Sequence, residues 1–131
     1  YIFDDVRLIR SDSVTESIEE IHRIGEQDVI LAISFPRYSV KTIQTVSFAK
    51  NRKAKIIAIT DGEQSPLAKY ADCSIYAGSD MVSFVDSLVA PLSVVNALLA
   101  ALSMRYKDSV TDTMLSMESI WNTMNEYERI D

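Results

Sequence analysis

The sequence holds one cysteine, Cys73, and one histidine, His22. A lone cysteine cannot close an internal disulfide, so the framework of small secreted domains is excluded and a reducing cytoplasm is expected. No spacing of His, Cys and acids resembles a metal site, and no run resembles a P-loop. No nucleophile stands in a pattern with its base, and neither a cofactor nor a metal is expected. Basic residues are also in deficit: 13 Lys and Arg stand against 19 Asp and Glu, a net charge of −6. A surface that grips a duplex must neutralise phosphates, so this segment is not expected to hold nucleic acid itself. The first 25 residues carry acids and lack an apolar h-region, so no secretory leader is read there.

One stretch is rich in what the rest lacks. Residues 87–104, "SLVAPLSVVNALLAALSM", are 18 uncharged residues, which touches the length of a membrane span. Pro91, Asn96 and three serines interrupt it and no basic flank precedes it, so a buried core helix is expected instead. Apolar residues make up 47% and charged residues 24%, the balance of an ordinary globular chain. Residues 1–131 therefore read as one domain, large enough for a core of two or three layers. The chain opens on Tyr1 rather than methionine, and is read as a piece of something longer.

Hydrophobic spacing orders the elements. "VRLIR" (6–10) reads as a short strand. Ser13 and Glu16 form an S-x-x-E capping box for an amphipathic helix over 14–24, closed by Gly25 in a left-handed cap. "DVILAIS" (28–34) is unalternating apolar bulk, as in a parallel strand covered on both faces. A helix fits 39–52, with Val40, Ile43, Val46 and Ala49 on one stripe. "AKIIAIT" (54–60) repeats the strand pattern, and "DG" at 61–62 is a turn. Ser65-Pro66 reads as an N-cap with proline at the first helical position, opening a short helix through Ala71. "CSIYA" (73–77) is a third strand, and helices over 84–106 and 110–130 close the chain. Alternating strands and helices at this spacing predict an α/β fold, a parallel sheet between helices in a doubly wound αβα sandwich.

In open parallel sheets, ligands bind outside the carboxyl ends of the strands. Ser34 and Thr60 stand at two such ends, and Ser39 is placed to cap the next helix. A helix N-terminus carries unsatisfied N–H groups and partial positive charge, which suit a phosphate. Arg37 can add a bidentate, charge-assisted pair. The segment reads as a phosphate-accepting loop, against the plainer reading of a helix cap beside a solvated arginine.

The motifs "ISFPRYSVKT", "AKIIAIT", "SPLAKYAD" and "SIYA", in that order, resemble the SIS (sugar isomerase) fold. More narrowly they resemble the sensor domain of RpiR/MurR-type bacterial transcription regulators, tightest over residues 28–77. The resemblance implies a three-layer αβα domain that binds a phosphorylated sugar. The SIS loop commonly reads S-x-S-G-x-T, and in the regulator branch S-F-S-R-Y-S. Ser34 then matches the first serine and Ser39 the last hydroxyl, with Thr42 one turn on; Arg37 and Tyr38 match the regulator branch, Arg37 standing where glycine was. Pro36 departs from the pattern, removing a hydroxyl and a backbone N–H. Nothing before "FDDVRLIRSDS" matches the family's first strand and its loop, so the first βα unit is read as missing, with the helix-turn-helix region further upstream.

On this reading the phosphosugar residues are Ser34, Arg37, Ser39 and Thr42, with Thr60 and Ser65 lining the rim. Two other classes compete. An aldose–ketose isomerase needs a positioned base; His22 reads as a half-exposed helix residue, and Asp61, Glu63, Asp80 and Asp86 carry no motif. A dimerisation module would use the stripe Met114, Met117, Trp121 and Met124, widened by Ile120 and Tyr127. The expectation is a cytoplasmic, non-enzymatic sensor that forms a homodimer, with Trp121 partly in the contact. It would reach DNA only through another domain and no membrane at all.

Overall fold

A computed structural model describes residues 3, 5–10, 12–79 and 87–124 of the chain. The chain divides into two compact units: Leu8–Val95, and Tyr1–Arg7 together with Asn96–Asp131. The elements in order are α1 (Val14–Glu20), β1 (Val29–Ile33), α2 (Val40–Asn51), β2 (Lys55–Thr60), β3 (Cys73–Tyr76), α3 (Val89–Arg105) and α4 (Lys107–Met124).

The three strands form one parallel sheet in the order β1-β2-β3. Register pairs Ile30 with Ile56 and Ala32 with Ala58, on the face that α2 covers. There Ala32, Val46, Ala49, Ala54, Ile56, Ala58 and Leu67 make a buried cluster. Four of the seven are alanines, so helix and sheet approach closely and little volume is left for movement. Ile21, Ile24, Ile43 and Tyr70 close its margins.

Asp72, the last residue of "SPLAKYAD", ties this packing together. Its carboxylate accepts the Ile56 amide at 2.8 Å and pairs with Lys50 of α2 at 2.8 Å. The Lys50 hydrogen bond first, and the Ile56 amide second, hold its carboxyl below the usual aspartate range. A carboxylate with a depressed folded pKa contributes stability above its unfolded pKa and loses it as pH falls through the folded one. Asp72→Ala is therefore expected to lower the melting temperature at neutral pH. The gap from the parent should close as pH falls through the carboxylate range; a gap constant with pH would refute this role.

Several expectations change. Residues 6–10 are not a strand: Val6 and Leu8 are exposed and no strand pairs with β1 on its outer edge among the described residues. A strand without a neighbour has no ladder to join. α1 keeps its Ser13 cap, whose Oγ accepts the Glu16 amide at 3.1 Å, but ends at Glu20. Gly25 is not in a left-handed conformation. Its amide goes to the Asp28 carboxylate at 2.8 Å, and Asp28 donates back to the Gly25 carbonyl. Residues 65–71 are a run of three-residue turns rather than an α-helix, with bonds from Ala68 to Ser65, Tyr70 to Leu67 and Ala71 to Ala68. β1 is covered on one face only; Val29, Leu31 and Ile33 are exposed on the other, where Ile59 of β2 is buried.

Phe3 meets Tyr106 edge-on at 5.5 Å. α3, expected as a buried core helix, has Pro91 as its one buried residue among those described. No single helix is long and apolar enough to cross a membrane. Along α4, Val110, Thr113, Met117 and Trp121 are half-buried, while Met114, Leu115, Ile120 and Met124 are exposed. Tyr127, Asp80 and Asp86 lie outside the described residues.

Candidate functional site

Period-two alternation places Ser34 and Thr60 side by side at the carboxyl ends of β1 and β2, on the face that carries α2. Ser34 donates its amide to the Ile59 carbonyl at 3.1 Å, and its own carbonyl accepts from Thr60 Oγ1 at 2.7 Å. Thr60 has one hydroxyl proton and two acceptor-only oxygens near it, and the Ser34 carbonyl at 2.7 Å is closer than Asp61 Oδ1 at 3.0 Å, so that proton goes to Ser34. Ser65 Oγ, 2.7 Å away, must then donate to Thr60, and it accepts the Leu67 amide at 3.2 Å. Thr60 and Ser65 are 0% and 1% exposed. Both were expected to line the rim; their hydroxyls lie beneath it and bind the ends of β1, β2 and the 65–67 turn to one another.

Beyond Ser34 the chain must reverse within five residues to enter α2. Pro36 sets one φ, and Arg37 takes φ 65°, the left-handed region that glycine enters without strain. Arg37 is where the S-x-S-G-x-T pattern has glycine, so the backbone requirement of that position persists although the residue has changed. Ser39 then caps α2, its Oγ accepting the Thr42 amide at 3.3 Å and its carbonyl the Ile43 amide at 3.1 Å. No acid stands in the first turn of α2, so nothing there offsets the positive end of the helix. Ser34, Arg37, Ser39 and Thr42 thus share one loop and one helical turn, with Arg37 exposed at the bend.

One pair was not anticipated. Tyr38 donates its hydroxyl to Asp61, 2.8 Å from Oδ1 and 2.9 Å from Oδ2. Partial burial first, then the Asp61 carboxylate it donates to, raise the phenol above the usual tyrosine range. The two residues are 23 apart in sequence, but Ile33 pairs with Ile59, so the loops leaving β1 and β2 are neighbours. That adjacency of consecutive parallel strands was the available signal. His22 is exposed, with Nδ1 2.7 Å from the Glu19 carbonyl and Nε2 accepting from Arg23 Nε at 3.2 Å. An open concavity lined by Arg10, Glu16, Glu19 and Glu20 includes none of the rim residues, and its three acids suit no anion. Among the described residues no group of three or more His, Cys, Asp or Glu could hold a metal ion.

An N-capped helix behind a hydroxyl-bearing, left-handed loop at the carboxyl edge of a parallel sheet is suited to an anion. Several known proteins are similar to this chain. An uncharacterised HTH-type transcriptional regulator of Caldanaerobacter subterraneus subsp. tengcongensis is 31% identical over 105 residues, 72% of this chain and 37% of the relative. The sugar isomerase domain of an RpiR transcription factor from Sphaerobacter thermophilus superposes with a TM-score of 0.75 at 25% identity, over 79% of this chain and 57% of that one. Vibrio vulnificus NanR, in complex with ManNAc-6P, shares the fold with a TM-score of 0.67 at 20% identity, over 84% of this chain and 44% of its own. The chain spans about a third of the curated relative and about half of these solved chains. The SIS domain pattern itself runs through residues 13–101, from the α1 cap to α3, and by that match the chain belongs to the SIS domain family.

Proposed function

We propose that this chain is the phosphosugar-sensing part of a bacterial transcription regulator, and that the loop from Ser34 to Thr42 receives the phosphate. The observation that carries this is the bend at Arg37: a left-handed residue leading straight into the capped N-terminus of α2, on a chain of this family. Arg37, exposed at the bend, supplies the charge-assisted pair. Ser39 and Thr42 supply hydroxyls, while Thr60 and Ser65 hold the loop from below. ManNAc-6P, the compound bound by NanR, exemplifies the ligand class.

The role is sensing rather than isomerisation, since His22 is engaged by its own helix and turn. Residues 1–131 act together as one sugar-phosphate domain in the cytoplasm, and DNA is contacted through another part of the regulator. Two-fold pairing would match a palindromic operator. A homodimer is expected by light scattering, with Trp121 of α4 partly in the contact; a monomer at high micromolar concentration would remove it.

Calorimetric titration with hexose 6-phosphates, ManNAc-6P among them, tests the ligand. Arg37→Ala is expected to weaken binding by about 10-fold, the worth of one charge-assisted hydrogen bond. At ~100 times its dissociation constant a true ligand should stabilise the fold by about 2.7 kcal/mol. Unchanged affinity in Arg37→Ala would remove the arginine from the site, and no binding of any sugar phosphate would end the proposal.

A further inference from the structure

We propose that Asp61 is the residue that reads the sugar, accepting hydrogen bonds from ligand hydroxyls while Tyr38 fixes its orientation. This inference rests on the phosphosugar reading above and adds a residue and a role to it.

The starting point is a carboxylate in an unfavourable place. Asp61 follows Thr60, whose hydroxyl touches the Ser34 carbonyl, and is bonded directly to Tyr38, so its charge adjoins the loop that would receive a phosphate. Like charges at such range repel, and an acid serving the phosphate would be counterproductive. Nor does Asp61 complete an ion pair: among the described residues no cation lies within salt-bridge distance of it. The carboxylate is held instead by one neutral donor, the Tyr38 phenol, lying 2.8 and 2.9 Å from its two oxygens. Thr60 Oγ1 lies 3.0 Å from Oδ1, but its proton serves Ser34.

An ionised carboxylate offers about four lone-pair directions and no proton. One phenol leaves most of that capacity unused, on a half-buried group at the mouth of the site. The donors it can take are hydroxyls, in which the part of a sugar phosphate beyond the phosphate is rich. A bifurcated contact from Tyr38 also prevents the carboxylate from turning, so two oxygens are presented in a fixed plane. Phosphate recognition on α2 and hydroxyl recognition on the loop after β2 are thereby divided between neighbouring strand ends.

The experiment measures two affinities on the intact chain, one for inorganic phosphate and one for hexose 6-phosphates. The variants are Asp61→Asn, Tyr38→Phe and, as a control for net charge, Glu63→Gln at the exposed acid two residues on. Asp61→Asn is expected to weaken the sugar phosphates by about 10- to 100-fold, the range for hydrogen bonds to a charged group. Inorganic phosphate should bind equally well or more tightly, because a like charge is gone. Tyr38→Phe should reduce the ratio of the two affinities by a smaller factor, and Glu63→Gln should leave it unchanged. A merely structural role for Asp61 would weaken both ligands together and leave their ratio intact, which overturns the inference, as would an unaltered sugar-phosphate affinity. Parent chain that binds neither ligand overturns the phosphosugar reading and this inference with it; parent chain that binds sugar phosphates with Asp61→Asn unchanged overturns this inference alone.

Discussion

Thr60→Val is expected to destabilise the sheet unit by about 2–4 kcal/mol, read as a lower urea midpoint at unchanged slope. Valine keeps the shape of threonine and removes only the hydroxyl. The buried Ser34 carbonyl then loses the hydroxyl it accepts from, and Ser65 Oγ keeps the Leu67 amide but loses its bond to Thr60. An unsatisfied buried polar group costs about 1–3 kcal/mol, and Ser34, Thr60 and Ser65 are all buried. Thr60→Ser keeps the hydroxyl and should recover most of the loss. The ligand loop should feel the same change, because Ser34 is where it leaves the sheet. A Thr60→Val chain as stable as the parent would show that the hydroxyl chain holds nothing together.

Leu67→Ala should cost about 2–5 kcal/mol, the range for a leucine removed from a full core. Leu67 is wholly buried in the cluster with Ala32, Ile56 and Ala58. Alanines have no longer rotamer with which to fill a hole, so the cavity should persist. The effect also reaches the site. The Leu67 amide donates to Ser65 Oγ, so loosening this turn disturbs the hydroxyl chain under the rim. Leu67→Met conserves volume and is expected to cost less than about 1.5 kcal/mol. A loss below about 1 kcal/mol in Leu67→Ala would mean that the segment repacks, and that the "SPLA" turn is not anchored by its leucine.

The elements legible in the sequence were those whose signal is local. Ser13 and Ser39 cap helices because a hydroxyl beside a first-turn amide needs only neighbouring residues. The strands at 29–33, 55–60 and 73–76 announce themselves by β-branched bulk between turns. The misread elements depend on what stands opposite. "VRLIR" has the pattern of a strand and no strand to pair with among the described residues, and Gly25 lies past the end of α1 with its amide on Asp28. Ser65-Pro66 carries helix-start residues, yet the chain turns three residues at a time to place Leu67 in the core.

Composition and local pattern determined the parallel α/β order, the ends of the strands and the loop that carries Ser34, Arg37 and Ser39. These follow from backbone preference and from the two periods with which side chains alternate, neither of which needs a distant partner. Packing alone decided that Thr60 and Ser65 lie under the rim rather than on it, and that Tyr38 reaches Asp61. The reason is physical: a hydroxyl can serve a ligand or its neighbours, and only the three-dimensional arrangement shows which oxygen stands within reach of its proton.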